Sequence, residues 1–355
     1  MKSGKIFLFA VLLSLAAGCG SGGSGGGGSG SSGGSSGGGT INPISGTYTD
    51  MQTVTISGSA FGTNGAVGTS AIESLANPIL SGTNGATFVR SNWSIDTEFG
   101  GNVTYTTSNT RGGTRTMALV AQDSTATYPE TPLYYNLPTS IANGDEIFVS
   151  WWEQTVWTGN GQYKIIRFSP TQTIVDGDGQ DCYFFHNNND GITFGPPEGT
   201  LQWLNFSPAD PQSQWTRTDI DMTLGTSNAP FTITKYTPGS PLQTFSATIN
   251  SYASANQQYI VWQNYFGTDG VGTMTSGTVW LDSIFIQHGS QARVELCDAS
   301  TWAARTHCEI QSPTSWNNTT VQFTLDRGSF PAGSAYVYVV NSSGQVSNGQ
   351  QITFQ

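Results

Sequence analysis

The chain has 355 residues, 36% apolar, 12% aromatic and only 10% charged, with 45 glycines. That excludes a charge-rich disordered chain, and the abundance of Thr, Ser, Asn, Gly, Tyr and Trp where helical surfaces carry Lys, Glu, Arg and Ala excludes a helical bundle and predicts an all-β protein. Against 12 basic side chains stand 23 acidic ones, a net charge of −11; the arginines are scattered from Arg90 to Arg327 without a basic run, so the field opposes a phosphate backbone and nucleic acid is set aside as a partner.

In chain order, Met1 to Gly18 reads as an export signal, with Lys2 and Lys5 before the apolar stretch Ile6 to Leu15 and the small residues Ala16, Ala17 and Gly18 after it. The stretch is too short to cross a bilayer. Leu15-Ala-Ala-Gly-Cys19 resembles a bacterial lipobox, with Ala16 where Leu is commoner. The resemblance implies that Cys19 is lipidated and becomes the new N-terminus, with residues 1–19 as signal and anchor. Gly20 then follows in place of the aspartate associated with inner-membrane retention, which points to the outer membrane or cell surface of a bacterial envelope. Residues 20–39 are only Gly and Ser, a composition that cannot bury surface and forms a loose tether spanning about 25 Å.

In the segment Gln52-Thr-Val-Thr-Ile-Ser-Gly-Ser-Ala-Phe-Gly62, Val54 and Ile56 alternate with Thr53, Thr55 and Ser57, as one strand face requires. With Ile41 to Asp50 before it, the segment resembles the opening of an IPT/TIG immunoglobulin-like domain. The second half of that pattern stands at the other end of the chain. Ser315-Trp-Asn-Asn-Thr-Thr-Val-Gln-Phe-Thr-Leu325 resembles the family's tryptophan-marked strand, and Pro331 to Val340 and Ser343 to Phe354 read as a closing hairpin. The resemblance implies one immunoglobulin-like sandwich split into 40–66 and 290–355, with residues 67–289 inserted at a loop tip where the cost is low. Cys297 and Cys308 are the natural disulfide pair in an oxidising compartment, worth about 2 to 3 kcal/mol, and Cys182 in the run Cys182-Tyr-Phe-Phe185 reads as a buried thiol.

Within the insert, strands are predicted at Glu146 to Trp152, Tyr163 to Phe168, Asp181 to His186, Thr200 to Phe206, Trp215 to Leu224, Phe231 to Tyr236, Gln258 to Phe266 and Thr278 to Gln287, with more between Phe88 and Val120. About ten strands without helical periodicity fit a double-sheet jelly roll. Strand alternation puts Trp215, Arg217, Asp219 and Asp221 on one face and Ile220, Met222 and Leu224 on the other. It puts Tyr163, Ile165 and Arg167 opposite Lys164, Ile166 and Phe168, and it pairs Trp262 with Asn264. Rings that stack on sugar C–H faces, set among amides and isolated charges that satisfy hydroxyl groups, suit a saccharide. Glu146 to Glu153, Tyr163 to Arg167, Trp215 to Asp219 and the ending Gly277-Thr-Val-Trp-Leu-Asp-Ser-Ile-Phe-Ile286 resemble concanavalin A-like lectin/glucanase jelly rolls.

The expected ligand-binding set is Trp152, Glu153, Arg167, His186, Trp203, Trp215, Arg217 and Asn264, for an extracellular polysaccharide or glycan. The ExDxxE arrangement of a glycoside hydrolase of this fold is absent: Glu153 stands alone, and Asp219 and Asp221 share a face but lack a third acid in register. The alternative to a lectin-like binder is a polysaccharide lyase or another polysaccharide-degrading enzyme of jelly-roll fold, and for a lyase His186, Lys164 and Arg167 are the available base and cations. No organic cofactor is expected. Asp176-Gly-Asp-Gly-Gln-Asp181 spaces the carboxylates of Asp176, Asp178 and Asp181 around glycines, a weak pattern for a calcium ion.

Overall fold

The computed structural model describes residues 38–63, 82–96, 101–113, 116–123, 131–172, 182–187, 192–195, 202–206, 212–225, 228–251, 255–267 and 274–355. Cys19, the tether to residue 37 and the loop holding Asp176, Asp178 and Asp181 lie outside the described residues. The described chain is all-β, with one 3-10 turn at Trp302–Ala304.

Fourteen strands form two antiparallel seven-stranded sheets. The first, called proximal below, has the order Gln243–Ile249, Ala229–Tyr236, Thr216–Thr223, Glu146–Gly159, Met274–His288, Ala118–Asp123, Asn102–Thr106. The second, called distal, has the order Gln202–Phe206, Ile192–Gly195, Cys182–Asn187, Gln162–Ser169, Gln257–Gly267, Leu133–Ile141, Trp93–Ile95. Ile147, Val149, Trp151, Ile220 and Met222 of the proximal sheet meet Tyr163, Ile166, Phe168, Ile260 and Trp262 of the distal one in a shared core. This is a jelly-roll sandwich, and the alternation in Thr216–Thr223 sends Ile220 and Met222 inward and Arg217, Asp219 and Asp221 outward as the sequence implies.

Three strands differ from expectation for local reasons. Leu133–Ile141 carries Pro138, which breaks the sequence signature of a strand. Gln243–Ile249 is a polar edge strand with hydroxyl partners, Thr244 opposite Thr234 and Ser246 opposite Thr232, too weakly apolar to register by periodicity. Ile192–Gly195 is only four residues long.

Eight further strands curl around a second core, in the order Thr40–Ile41, Thr53–Ser59, Thr320–Thr324, Cys308–Trp316, Arg293–Cys297, Gly333–Val340, Gln350–Phe354, Thr47–Tyr48. Val54 stands opposite Phe323 and Ile56 opposite Val321, so the strands that open the described chain and those that end it share one sheet. Cys297 faces Cys308 across a strand pair and the two are bonded, closing the loop that carries Trp302 and Arg305.

The eight-stranded body lies against the outward face of the proximal sheet, and the contact is charged. Arg217 donates through Nε and Nη2 to both oxygens of Asp219 at 2.8 Å, and through Nη1 to Glu295 at 2.9 Å and the Cys308 carbonyl at 3.0 Å. Arg293 returns the contact, its guanidinium 4.1 Å from the Phe148 ring and its Nε 2.5 Å from Glu295. Arg111, on the turn after Asn102–Thr106, reaches Asp282 at 2.7 Å and Glu309 at 2.6 Å and lies 4.4 Å over Trp152. Burial alone would raise the Glu295 carboxyl, but Arg217 and Arg293 outweigh it and hold the group down at about 2. Burial also pushes the Tyr236 phenol, beside Glu295 and Asp219, up to about 12.

Because a buried charge that loses its partner is far costlier than the intact pair is favourable, Glu295→Gln is expected to destabilise the protein by about 3 to 5 kcal/mol, measured by denaturant unfolding. The double substitution of Cys297 and Cys308 by Ala removes a loop constraint and costs about 2 to 3 kcal/mol in the same assay.

Candidate functional site

The outward face of the distal sheet is the face of the jelly roll that the eight-stranded body does not touch, and it is itself partly covered: Tyr134, Val261, Arg167 and Ser169 on it are buried. A double irregularity shapes it. Lys164 pairs with Phe185 and Tyr265, whereas Ile166 pairs with Phe184 and Trp262, so Ile165 on one strand and Gln263 and Asn264 on the next have no opposite number. Such bulges re-aim side chains. Tyr163, Ile165, Ile166 and Phe168 all belong to the core, and Lys164 and Arg167 both turn outward. This corrects the strict alternation, which separated those two cations.

Across this face run two rows of paired residues. One holds Ser94, Tyr134, Val261 and Arg167. The next holds Asn136, Tyr259 and Ser169. Tyr134 and Tyr259 meet edge to face at 6.2 Å, and the Lys164 ammonium sits 4.8 Å from the Tyr265 ring, a cation–π contact. Gln258 donates to Asn136 Oδ1 at 2.8 Å and Gln172 to Ser94 Oγ at 3.0 Å. Asn136 is exposed, Gln258, Tyr259 and Tyr265 are half-buried, and Lys164 and Arg167 are enclosed, Arg167 completely. Of the residues just named, the accessible ones are therefore two rings, Tyr259 and Tyr265, and two amides, Asn136 and Gln258, while the Tyr134 ring is buried with the cations.

The acids are segregated. The seven distal strands contain neither Asp nor Glu, while the proximal strands carry Asp123, Glu146, Glu153, Asp219, Asp221 and Asp282. A reaction run by two strand carboxylates has no residues to use on the distal face.

The other expected site residues are dispersed. Trp152 and Arg217 are 2% and 1% exposed and face the eight-stranded body, Trp152 edge-on to His307 at 5.5 Å. The expectation that they line an open groove is corrected by this packing, since their outward strand face is itself an interface. Glu153 points between the two sheets, where its Oε2 accepts the Tyr163 hydroxyl at 3.1 Å. Asn264 is in the bulge at φ +52° and donates to the Thr131 carbonyl at 3.0 Å, a structural post rather than a partner for Trp262, which is in the core. Trp215 is half-buried just before Thr216–Thr223. His186, Cys182 and Trp203 are on described strands of the distal sheet, but their side chains lie outside the described residues.

Sequence reasoning passed over Asn136, Gln258, Tyr259 and Tyr265, of which only the last three fell in a predicted strand. The signal that was available is the absence of acids from the distal strands. A second cluster also escaped it. Ser329 Oγ lies 3.0 Å from His307 Nε2, and Glu309 Oε1 lies 2.9 Å from the same Nε2. These are the residue types of a hydrolytic triad, but a relay needs the acid on one ring nitrogen and the hydroxyl on the other. Here both converge on Nε2, Ser329 also donates to Glu309 at 2.9 Å, and Arg111 binds both. The cluster is an anchor for the Arg111 turn. A fluorophosphonate probe is accordingly expected to leave Ser329 unlabelled, and Ser329→Ala to lower stability by about 1 kcal/mol; labelling at Ser329, read by peptide mass spectrometry, would reverse that assignment.

No family model and no curated protein matches the chain. Among solved structures it is similar to lectin I-B4 from Griffonia simplicifolia, at 10% identity and a TM-score of 0.39 over 58% of this chain and 96% of that one. It is also similar to lectin II from Ulex europaeus, at 7% and 0.36 over 57% and 96%, and to an alginate lyase from a Chlorella virus, at 11% and 0.36 over 55% and 93%. With each of these scores below 0.5, the chemistry of the face rests on its own residues.

Proposed function

We propose that the protein is a carbohydrate-binding, lectin-like protein of a bacterial envelope, held by a lipid on Cys19 and reaching outward on the Gly/Ser tether. The eight-stranded body is read as a split IPT/TIG immunoglobulin-like module that carries the jelly roll. The observation that supports carbohydrate recognition is the accessible part of the distal face, where the half-buried ring of Tyr259 stands beside the Asn136 and Gln258 amides, with the half-buried ring of Tyr265 farther along the same strand, on strands without carboxylates. A ring offers a flat apolar surface to sugar C–H groups, and an amide both donates and accepts for hydroxyls. Lys164 under Tyr265 fixes that ring rather than meeting the ligand first.

Binding without turnover is the reading favoured by the enclosure of Arg167 and Lys164, because a lyase needs its cation on the substrate carboxylate. A glycan array probed with the exported chain is the direct test. Tyr259→Ala is expected to weaken a positive interaction about fivefold or more, the loss of roughly 1 kcal/mol of ring contact. Absence of any binding on the array sinks the proposal, and accumulation of unsaturated product from a uronate polymer would replace it with the lyase.

A further inference from the structure

The seam between the proximal sheet and the eight-stranded body has more acid than base. From the Thr216–Thr223 strand it receives Asp219 and Asp221, from the Glu146–Gly159 strand Glu146, and from the Arg293–Cys297 strand Glu295; the facing cations are Arg217, Arg293 and, from the disulfide loop, Arg305, which donates to the Tyr236 hydroxyl and helps hold the Glu295 carboxyl down. Arg217 is committed to Asp219 and Glu295, and Arg293 to Glu295 and to the Gln291 carbonyl at 3.0 Å. Gln291 in turn donates to Glu146 at 2.7 Å. Asp221 stands opposite Phe148, the residue on which Arg293 is stacked, and opposite Thr232 on its other side. None of these arginines is directed at it by a hydrogen bond in this arrangement, and Glu146 is two residues along the neighbouring strand on the same face.

We propose that this seam is a proton-responsive joint, with Asp221 as the group whose protonation lets the two bodies close and whose ionisation loosens them. With Asp221 charged, four carboxylates face three guanidinium groups; with it neutral, the two counts are equal. Burial first, and then the Glu146 charge, raise the Asp221 carboxyl to about 7, with Arg293 opposing and Asp219 adding to the rise. A carboxyl raised above its ordinary value gives stability that is complete below the ordinary carboxylate range and is lost as pH rises through about 7. The joint therefore closes in mild acid and relaxes on the alkaline side of neutrality. Two histidines lie near other parts of the contact, His288 on Asp145 at 3.0 Å and His307 on Glu309 at 2.9 Å, and the experiment separates them from Asp221.

Amide hydrogen exchange of the Arg293–Cys297 strand in the full chain, corrected for the intrinsic pH dependence of exchange, reads the joint directly. Across roughly pH 5.5 to 8.5 the wild type is expected to lose protection severalfold with a midpoint near 7, while Asp221→Asn shows a flat profile. A wild-type profile that is flat, or an Asp221→Asn profile that keeps the wild-type transition and so assigns it to His288 or His307, overturns the proposal. If Asp221→Asn does not fold, Glu146→Gln serves instead. Removing the neighbouring charge moves the midpoint to lower pH, and an unmoved midpoint is equally fatal.

Discussion

A guanidinium buried between two β bodies imposes conditions that few other contacts impose. Arg217 projects from the proximal sheet, is 1% exposed, and has its charge met by Asp219 on its own strand and by Glu295 on the other body. Its cost of desolvation is recovered only while both carboxylates hold their geometry. The register of Thr216–Thr223 and that of Arg293–Cys297 are thereby coupled, although no backbone hydrogen bond joins them. Apolar contact would tolerate sliding, whereas hydrogen bonds with fixed directions do not. Arg293 on Phe148 and Arg111 on Glu309 apply the same condition at two more points.

This explains how the two faces of the jelly roll acquired different chemistries. The proximal strands carry the acids that pair with the interface arginines, and the distal strands carry none. A carboxylate on the distal face would have no arginine from a second body to meet it. Rings, amides and hydroxyls can face water or a ligand without such a partner, because their hydration is easily exchanged for hydrogen bonds of similar strength. The segregation thus follows from where a second body is present, and it leaves the distal face suited to a partner built from hydroxyl groups.

The sequence revealed which residues share a face wherever a strand is regular. Arg217, Asp219 and Asp221 against Ile220 and Met222 could be separated by alternation alone, and the jelly-roll architecture followed from strands of that kind. What alternation does not contain is the identity of the layer on the polar side. Trp152 and Arg217 look the same in sequence whether they meet solvent, sugar or another sheet, and the covering layer comes from residues about 80 to 155 positions away in the chain. The bulges at Ile165 and at Gln263 and Asn264 were hidden for another reason. An extra residue leaves no mark on composition, yet it inverts the facing of everything beyond it, which is why Lys164 and Arg167 were split in reading and joined in fact. Pro138 acted in the opposite direction, concealing a strand that tertiary pairing forms anyway.

Because the proximal sheet separates the distal face from the charged seam, the two can be altered independently. A ligand on Tyr259 and Asn136 touches strands whose inward neighbours are the apolar core, and a core of close-packed side chains transmits a shift only as far as it can repack. The seam has a different dependence, on proton concentration and on ionic pairing. Salt screens exposed charges over a Debye length of about 10 Å at 0.1 M, but buried pairs much less, so the Arg217 pairs hold where the partly exposed Asp221 and Glu146 respond. The strong pairs locate the joint and the excess acid sets its compliance. Joined to the eight-stranded body through such a seam, the jelly roll keeps its distal face turned away from that body, while the proposed joint sets how firmly the two are held at a given pH.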